Sequence, residues 1–561
     1  MPDSPSPILI LGAGVHGAAI ARELLLNGLP VVLVDRFDIA SGATSKSSRL
    51  IHGGLRYLEY GDVGLVKESL EERGRNLDLA RHFVRPIRLY IPVEHQWSGL
   101  VRSGVNFLGL QRTEWGRWLA GPPKSRGFWP TRLGLAMYDW LAQDADFRSS
   151  AVTAVGTPQT PRVDPQRYKS LLEYSDAQMP YPERLVFALL DDAANIAAQG
   201  QTSFDVRPYA TVTWDGDAVV IASPSSLTPL RMKPAAIVNA SGAWGDATLQ
   251  GLDVTALPMF GGTKGSHIVT WHAGLLDALQ GQAVYAEADD GRLVFILPFG
   301  DAVLIGTTDE TFQGHPEDAT ASDAEIEYLL RMVERVLAVK LTRDDVTMHY
   351  SGVRPLPRST TGANAAISRD HSLAWHHHQS VPVLTLVGGK LTTWRSFAEE
   401  VTTHVLGKLG RLRLADTRTR VVPGNDLLPE GASKPNLDLL MRWAEVSRST
   451  VEEVAALWPL YGIRAMVVLM ATQDASRRPI SDGPWSAATV HWIIEHEHVT
   501  RLADLVERRL LCIFRRTITA AMLADLARCL VECGRLAETD VAGEIVHCRE
   551  RLAKHYGRVV S

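Results

Sequence analysis

Two uninterrupted apolar runs, Ile8–Leu11 and Val31–Val34, flank a stretch of helical pattern near the start of the chain. Short runs with no polar alternation are what strands buried on both faces of a parallel sheet look like. The intervening helix is expected from about Ala18 to Leu26, with Gly28 as its stop. Amphipathic helices are predicted at Glu68–Phe83, Arg184–Ala198 and Asp323–Val339, and a further helix from Thr393 to Leu409. Thr211–Val220 reads as a strand pair turned at Asp215–Gly216, and Ala235–Asn239 and Val383–Val387 as buried strands. Ser266–Thr270, Arg292–Leu297 and Ala302–Ile305 have the character of further strands. Val422-Pro423-Gly424-Asn425 is a break, and beyond it the pattern is helical and rich in Ala, Leu, Arg and Glu. The expectation is therefore an α/β fold: a nucleotide domain and an antiparallel substrate sheet interleaved over 1–424, then an all-helical domain over 425–561.

Between the first two strands, Gly12, Gly14 and Gly17 satisfy G-x-G-x-x-G. The first glycine permits the tight turn, the second lets a pyrophosphate approach the backbone, and the third lets helix pack on strand. The helix start points free N–H groups at the phosphates. Asp35 closes the second strand, where a carboxylate takes the adenosine ribose hydroxyls. Strand, turn, helix, strand and acid fall in register, so a Rossmann-like dinucleotide-binding unit is predicted.

Length changes the picture little: 561 residues imply two or three domains. The 45% apolar and 22% charged content is that of a soluble globular protein, and the net charge of −5 lacks the basic footprint of nucleic-acid binding. The opening MPDSPSP has no signal-peptide pattern, and no run of about 18 uncharged apolar residues predicts a bilayer span. Cys512, Cys529, Cys533 and Cys548 fall on expected helix without metal-site spacing, so no metal is predicted, although Cys529 and Cys533 lie one turn apart.

After Asp35 the chain is dense in Ser, Thr and Gly, as suits a loop that runs close beside a ligand. Gln96–Arg132 interleaves Arg102, Arg112, Arg117, Lys124, Arg126 and Arg132 with aromatics including Trp97, Phe107, Trp115, Trp118 and Trp129 against the single acid Glu114; a packing lid and a membrane contact are both open readings of it. Arg501, Arg508, Arg509, Arg515 and Arg516 form a basic stretch read as a solvated helix face.

GAGVHG, SSRLIHGGLRYLE, GTKGSHIV, GTTDE, SGVRPL and GGKLTT, in this order, resemble the FAD-dependent glycerol-3-phosphate dehydrogenases that pass electrons to quinone. The resemblance runs nearly end to end and implies an FAD domain, a substrate sheet with the flavin between them, and a C-terminal helical domain. It implies that Gly12, Gly14, Gly17 and Asp35 hold the ADP half of FAD; the family commonly carries Glu at the last position. Thr44, Ser45, Ser47 and Ser48 with His52, Gly53 and Gly54 would line the pyrophosphate and ring. Ala240, Ser241 and Gly242 resemble the second flavin turn, and Gly389, Lys390, Leu391, Thr392 and Thr393 the helix start beneath the isoalloxazine. Arg56, His267, Arg354 and Lys390 would gather at the substrate; Tyr57 reads equally as packing or as a substrate contact. The partners implied are a phosphorylated polyol and a quinone, with a homodimer open to it. The location implied is the cytoplasm, attached peripherally to the inner face of the cytoplasmic membrane.

The chemistry agrees with these residue types. A phosphate ester is nearly a dianion at neutral pH and calls for forked or point cations, Arg56, Arg354 and Lys390. Lys390 equally suits negative charge on the reduced ring. His267 is the expected general base, on the premise of an imidazole near its ordinary pKa of about 6.5. The rivals are a flavoenzyme acting on a 2-hydroxy acid or amino acid, an oxygen-using glycerol-phosphate oxidase, and a flavin-bound scaffold without turnover.

Overall fold

A computed structural model describes residues 6–58, 61–95, 127–142, 146–224, 226, 228–288, 290–358, 371–425, 435–475 and 477–561. The basic, aromatic stretch Gln96–Arg126 lies outside the described residues, as do the positions just after the expected boundary at 424/425.

The first sheet has six strands in the order Ser372–His378, Val381–Val387, Ala236–Asn239, Ile8–Leu11, Val31–Val34 and Phe204–Arg207. All neighbours are parallel except the edge strand Ser372–His378. Ile8–Leu11 sits centrally, in register with Val31–Val34 on one side and Ala236–Asn239 on the other. Its alternate residues serve two cores. Ile8 and Ile10 pack with helices Val15–Leu26, Pro182–Gly200 and Trp394–Lys408. Leu9 and Leu11 pack with Val219 and Ile221 of a three-stranded antiparallel sheet. That two-sided burial is why the run carries no polar residue.

The second sheet has a path of eight strands, from Glu310–Thr311 through Phe260–Thr270 to Leu50–Ile51, with Met348–Pro357 and Ala151–Ala154 paired beside it. It departs from the expected antiparallel sheet at one join. Ala283–Glu287 runs parallel to Arg85–Val93, while the other joins are antiparallel. Two antiparallel blocks meet there side by side, and no hairpin dictates their relative direction. One face packs under the helix Asp323–Leu337, which Ser322 and Glu325 start as a capping box. The other face shares its core with the C-terminal helices.

Those helices include Leu437–Ser447, Ala487–His496, Ala520–Glu532 and Val541–Tyr556. Val451–Ala471 has the length and mean hydropathy, 1.7, of a membrane span. It is two helices, Val451–Tyr461 and Ala465–Ala471, joined by a tight turn, with Glu453 buried and receiving hydrogen bonds from Ser486 and Thr489. The basic stretch is not a solvated face: Arg508 and Arg509 are buried and both pair with Asp38, 470 and 471 positions earlier. Arg501 and Arg516 are exposed. Cys529 is buried and Cys533 half-buried, and Cys529 groups with His491 and Glu532, the three ligand atoms lying within 4.8 Å of one another. Arg478 already occupies that group, donating to Glu532 at 3.0 Å and to Cys529 Sγ at 3.8 Å.

Candidate active site

The strand Ile8–Leu11 ends at Gly12, where φ is +109° and a Cβ would lie 2.6 Å from the Ala240 carbonyl oxygen. Only glycine fits, on both counts. Gly14 is the N-cap of the helix and adds no side chain over its open N-terminus. The Val15 N–H donates to Thr44 Oγ1 at 3.1 Å, which ties the serine-rich loop to the helix start. The Asp35 carboxylate accepts from the Ala13 N–H at 2.7 Å and the Phe37 N–H at 2.8 Å. Its first task is thus to close the turn; each oxygen retains a lone pair for a ribose hydroxyl. Burial pushes this carboxyl up to about 7.

From this turn a cavity of about 1000 Å³ runs between the two sheets. Gly12, Gly14, Asp35, Thr44, Ser47 and Ser48 line its first part. His52 and Gly54 on one side, Ala240, Ser241 and Gly242 on another, and Gly389, Leu391 and Thr392 on a third enclose the middle. The His52 N–H donates to Thr392 Oγ1 at 3.1 Å, joining the HGG and GGKLTT loops. Arg56, Tyr57, His267, Arg354 and Lys390 line the same cavity.

Four expected wall residues stand behind it, one of them Thr393, the N-cap of Trp394–Lys408. A Cβ on Gly17 would lie 1.8 Å from Gly12 O, so its role is helix-on-strand packing. The Ser45 hydroxyl donates to Gly42 O at 3.1 Å and stiffens its own loop. Gly53 turns its N–H inward to Tyr138 Oη at 3.0 Å and Asp176 Oδ1 at 3.1 Å.

The cations are positioned differently from one another. Arg354 donates to Asp309 Oδ1 at 2.9 Å and to Thr307 Oγ1 and Thr308 O at 3.1 Å each. Lys390 Nζ lies 4.1 Å from the centre of the Tyr57 ring. Arg56, on the one-turn helix Leu55–Leu58, has no ion-pair partner among the described residues. His267 is buried, stacks on Tyr350 with ring centres 4.8 Å apart, and shares a 2.9 Å hydrogen bond between Nε2 and Ser48 Oγ. Burial first, then Arg354 and Arg49, push its imidazole down to about 3. This corrects the premise of ordinary basicity: the field of the folded site, absent from the sequence, holds the ring neutral.

Asp309 and Thr307 lie in GTTDE without any local mark of a site role; only the fold brings them under Arg354. Lys46 also lines the cavity, with burial pushing its ammonium down to about 7. No local pattern distinguishes it from a surface lysine.

Residues 7–395 match the family of FAD dependent oxidoreductases. The chain belongs to that family, in its glycerol-3-phosphate dehydrogenase branch. It is 32% identical over 543 residues to the glycerol-3-phosphate dehydrogenase of Synechocystis sp., covering 90% of this chain and 88% of that one. It is 30% identical over 516 residues to the D-erythritol 1-phosphate dehydrogenase of Brucella abortus, covering 90% and 93%. The aerobic glycerol-3-phosphate dehydrogenase of Escherichia coli matches with the same identity and coverage, 30% over 90% and 93%. The glycerol-3-phosphate dehydrogenase from Bacillus halodurans complexed with FAD has the same fold, with a TM-score of 0.70 over 99% of this chain and 96% of that chain at 20% identity. FAD is the cofactor of the family. The helix N-terminus behind Gly14, which lines the cavity and lays no side chain over it, fits its pyrophosphate, and the tight turn at Gly12 brings that N-terminus to the cavity.

Proposed function

We propose that this flavoenzyme oxidises sn-glycerol 3-phosphate to dihydroxyacetone phosphate, with electrons passing from FAD to a quinone. One observation carries the reading: Arg56, Arg354, Lys390 and His267 line the same cavity as the dinucleotide turn. The likeness to glycerol-3-phosphate dehydrogenases over 90% of the chain supports it.

FAD, when bound, supplies a hydride acceptor at N5. The chain's own residues do the rest. The Arg354 guanidinium, held by Asp309, Thr307 and Thr308, offers a fixed fork to the substrate phosphate. Arg56 adds positive charge that no described acid neutralises. Lys390, steadied over Tyr57, serves as a point charge for the phosphate or for the reduced ring. His267 is neutral and so has a ring nitrogen able to take the hydroxyl proton. A phosphate dianion beside Arg354 offsets the cations that depress the imidazole and raises its basicity. Gly12, Gly14, Asp35, Thr44, Ser47, Ser48 and the Ala240–Gly242 turn hold the cofactor, and contact with a bilayer surface gives access to quinone.

The test is anaerobic mixing of the purified yellow protein with glycerol 3-phosphate; the flavin should bleach, and a spectrum that stays oxidised overturns the reading. D-Erythritol 1-phosphate belongs in the same experiment, because the likeness to the Brucella enzyme equals that to the Escherichia coli one. Faster bleaching by the four-carbon ester would reassign the substrate. An oxygen electrode beside a quinone-analogue assay decides the acceptor.

A further inference from the structure

The wall of the cavity that follows Asp35 is a single loop, and its back is held by the C-terminal helical region. Arg36 and Phe37, then Ser41 to Thr44, then Lys46 to Ser48 line the cavity. Asp38, between them, turns away and is 1% exposed. Its carboxylate accepts from Arg508 and from Arg509, whose Nη2 lies 2.8 Å from Asp38 Oδ1. Arg509 also donates to Glu497 O at 2.8 Å, which fixes the guanidinium plane. Arg508 pairs with Glu507 at 2.5 Å, and Glu507 accepts from the Tyr556 hydroxyl at 2.8 Å and from Arg551 at 2.5 Å. The Tyr556 ring, in turn, carries Lys46 Nζ 3.7 Å from its centre. The circuit closes: Asp38 and Lys46, near the two ends of the loop, lead to one buried ionic cluster centred on Glu507. No described residue beyond Thr392 lines the cavity, so of this cluster only Lys46 reaches the cofactor site and its C-terminal members do not.

We propose that the C-terminal helical region is a positioning element for FAD, holding the loop through Asp38 and Lys46 so that FAD binding and docking of this region are coupled. The proposal rests on the reading of the cavity as the FAD site. The loop is rich in Ser, Gly, Ala and Thr and has no strand or helix of its own to order it between Val34 and Leu50. Buried charges tolerate separation badly, since releasing Asp38 would leave Arg509 desolvated without a carboxylate and take from Arg508 one of its three, the others being Glu507 and Asp504. The loop is therefore either docked at both anchors or released from them together. A ligand that needs the docked loop favours the docked region, and the coupling runs equally in both directions.

The experiment compares hydrogen exchange in the full chain with and without FAD. FAD should slow exchange across residues 502–514 about tenfold or more, although none of them lines the cavity; exchange there that ignores FAD overturns the proposal. Asp38→Asn and the milder Tyr556→Leu should each raise the Kd for FAD, read by flavin fluorescence quenching, roughly 5- to 150-fold. Tyr556→Leu keeps the test decisive where Asp38→Asn does not fold. A merely structural contact would instead lower the melting temperature of the apoprotein and leave the Kd unchanged, which also overturns the proposal. Failure of the unsubstituted chain to bind FAD would overturn the cofactor reading beneath it.

Discussion

Arg354 and Asp309 face each other at 2.9 Å on the cavity wall, so the guanidinium that is to meet a phosphate is already oriented by a carboxylate. Thr307 Oγ1 and Thr308 O hold its other nitrogen.

Arg354→Ala removes this oriented fork. A charge-assisted contact of about 1.5–3 kcal/mol is lost, so kcat/KM on the phosphorylated substrate should fall roughly 10- to 150-fold. The flavin spectrum should be retained, because Arg354 is not part of the dinucleotide turn. Steady-state kinetics at wild-type values would remove Arg354 from the phosphate site.

His267→Ala removes the proposed proton acceptor. Anaerobic flavin reduction should slow by about 10²–10⁴, with little change in the substrate concentration needed for half-saturation. Ser48→Ala, which deletes the 2.9 Å hydrogen bond to Nε2, should slow reduction by less. Stopped-flow absorbance measures both; an unchanged rate in His267→Ala would exclude it as the base.

Gly14 and Gly17 separate cofactor approach from packing. A Cβ on Gly14 meets only Thr44 Oγ1, at 3.3 Å, whereas one on Gly17 would fall 1.8 Å from Gly12 O. Gly14→Ala should fold normally and bind FAD weakly, and Gly17→Ala should lose the fold of the first βαβ unit. Circular dichroism and flavin content read the two apart. Equal behaviour of the pair would contradict the assigned roles.

Acid should destabilise the apoprotein steeply. Burial pushes His16, His82 and His267 down to about 4, 3 and 3. Below an unfolded-state pKa of 6.5 the unfolded chain binds protons that the folded one refuses, so stability falls as pH drops from about 6.5 toward 4. Each such proton contributes a slope of about 1.4 kcal/mol per pH unit. Asp35 opposes this with one proton: pushed up to about 7, it stays protonated in the folded chain where the unfolded carboxyl is ionised. These four groups leave about two protons' slope, and His349 and His555, each pushed down by burial to about 4, raise it to about four. Urea unfolding at pH 5, 6 and 7 should find it, and His82→Leu should flatten it by one proton; pH-independent midpoints would refute it.

Much of the architecture is legible in the chain because its signals are local. The unbroken run Ile8–Leu11, the glycine spacing and the amphipathic period over Asp323–Val339 act over a few positions, and the elements they predict form. The helix at the dinucleotide turn begins at Val15, earlier than the apolar pattern suggests, since an uncapped N-terminus has no sequence marker. Arg85–Val93 and Ser170–Gln178, a long antiparallel pair, escape a reading by periodicity because Pro86 and Pro92 interrupt the first strand.

The sequence by itself determined the first βαβ unit, the dinucleotide turn, the strongest helices and the identity of the cations and histidine that the family's motifs carry. Only the tertiary structure decided that Asp309 orients Arg354, that His267 is held neutral, and that Arg508 and Arg509 are buried against Asp38. The physical reason is range. Backbone preference and amphipathic period depend on neighbours within about one helical turn, whereas desolvation and ion pairing depend on groups brought together from hundreds of positions away.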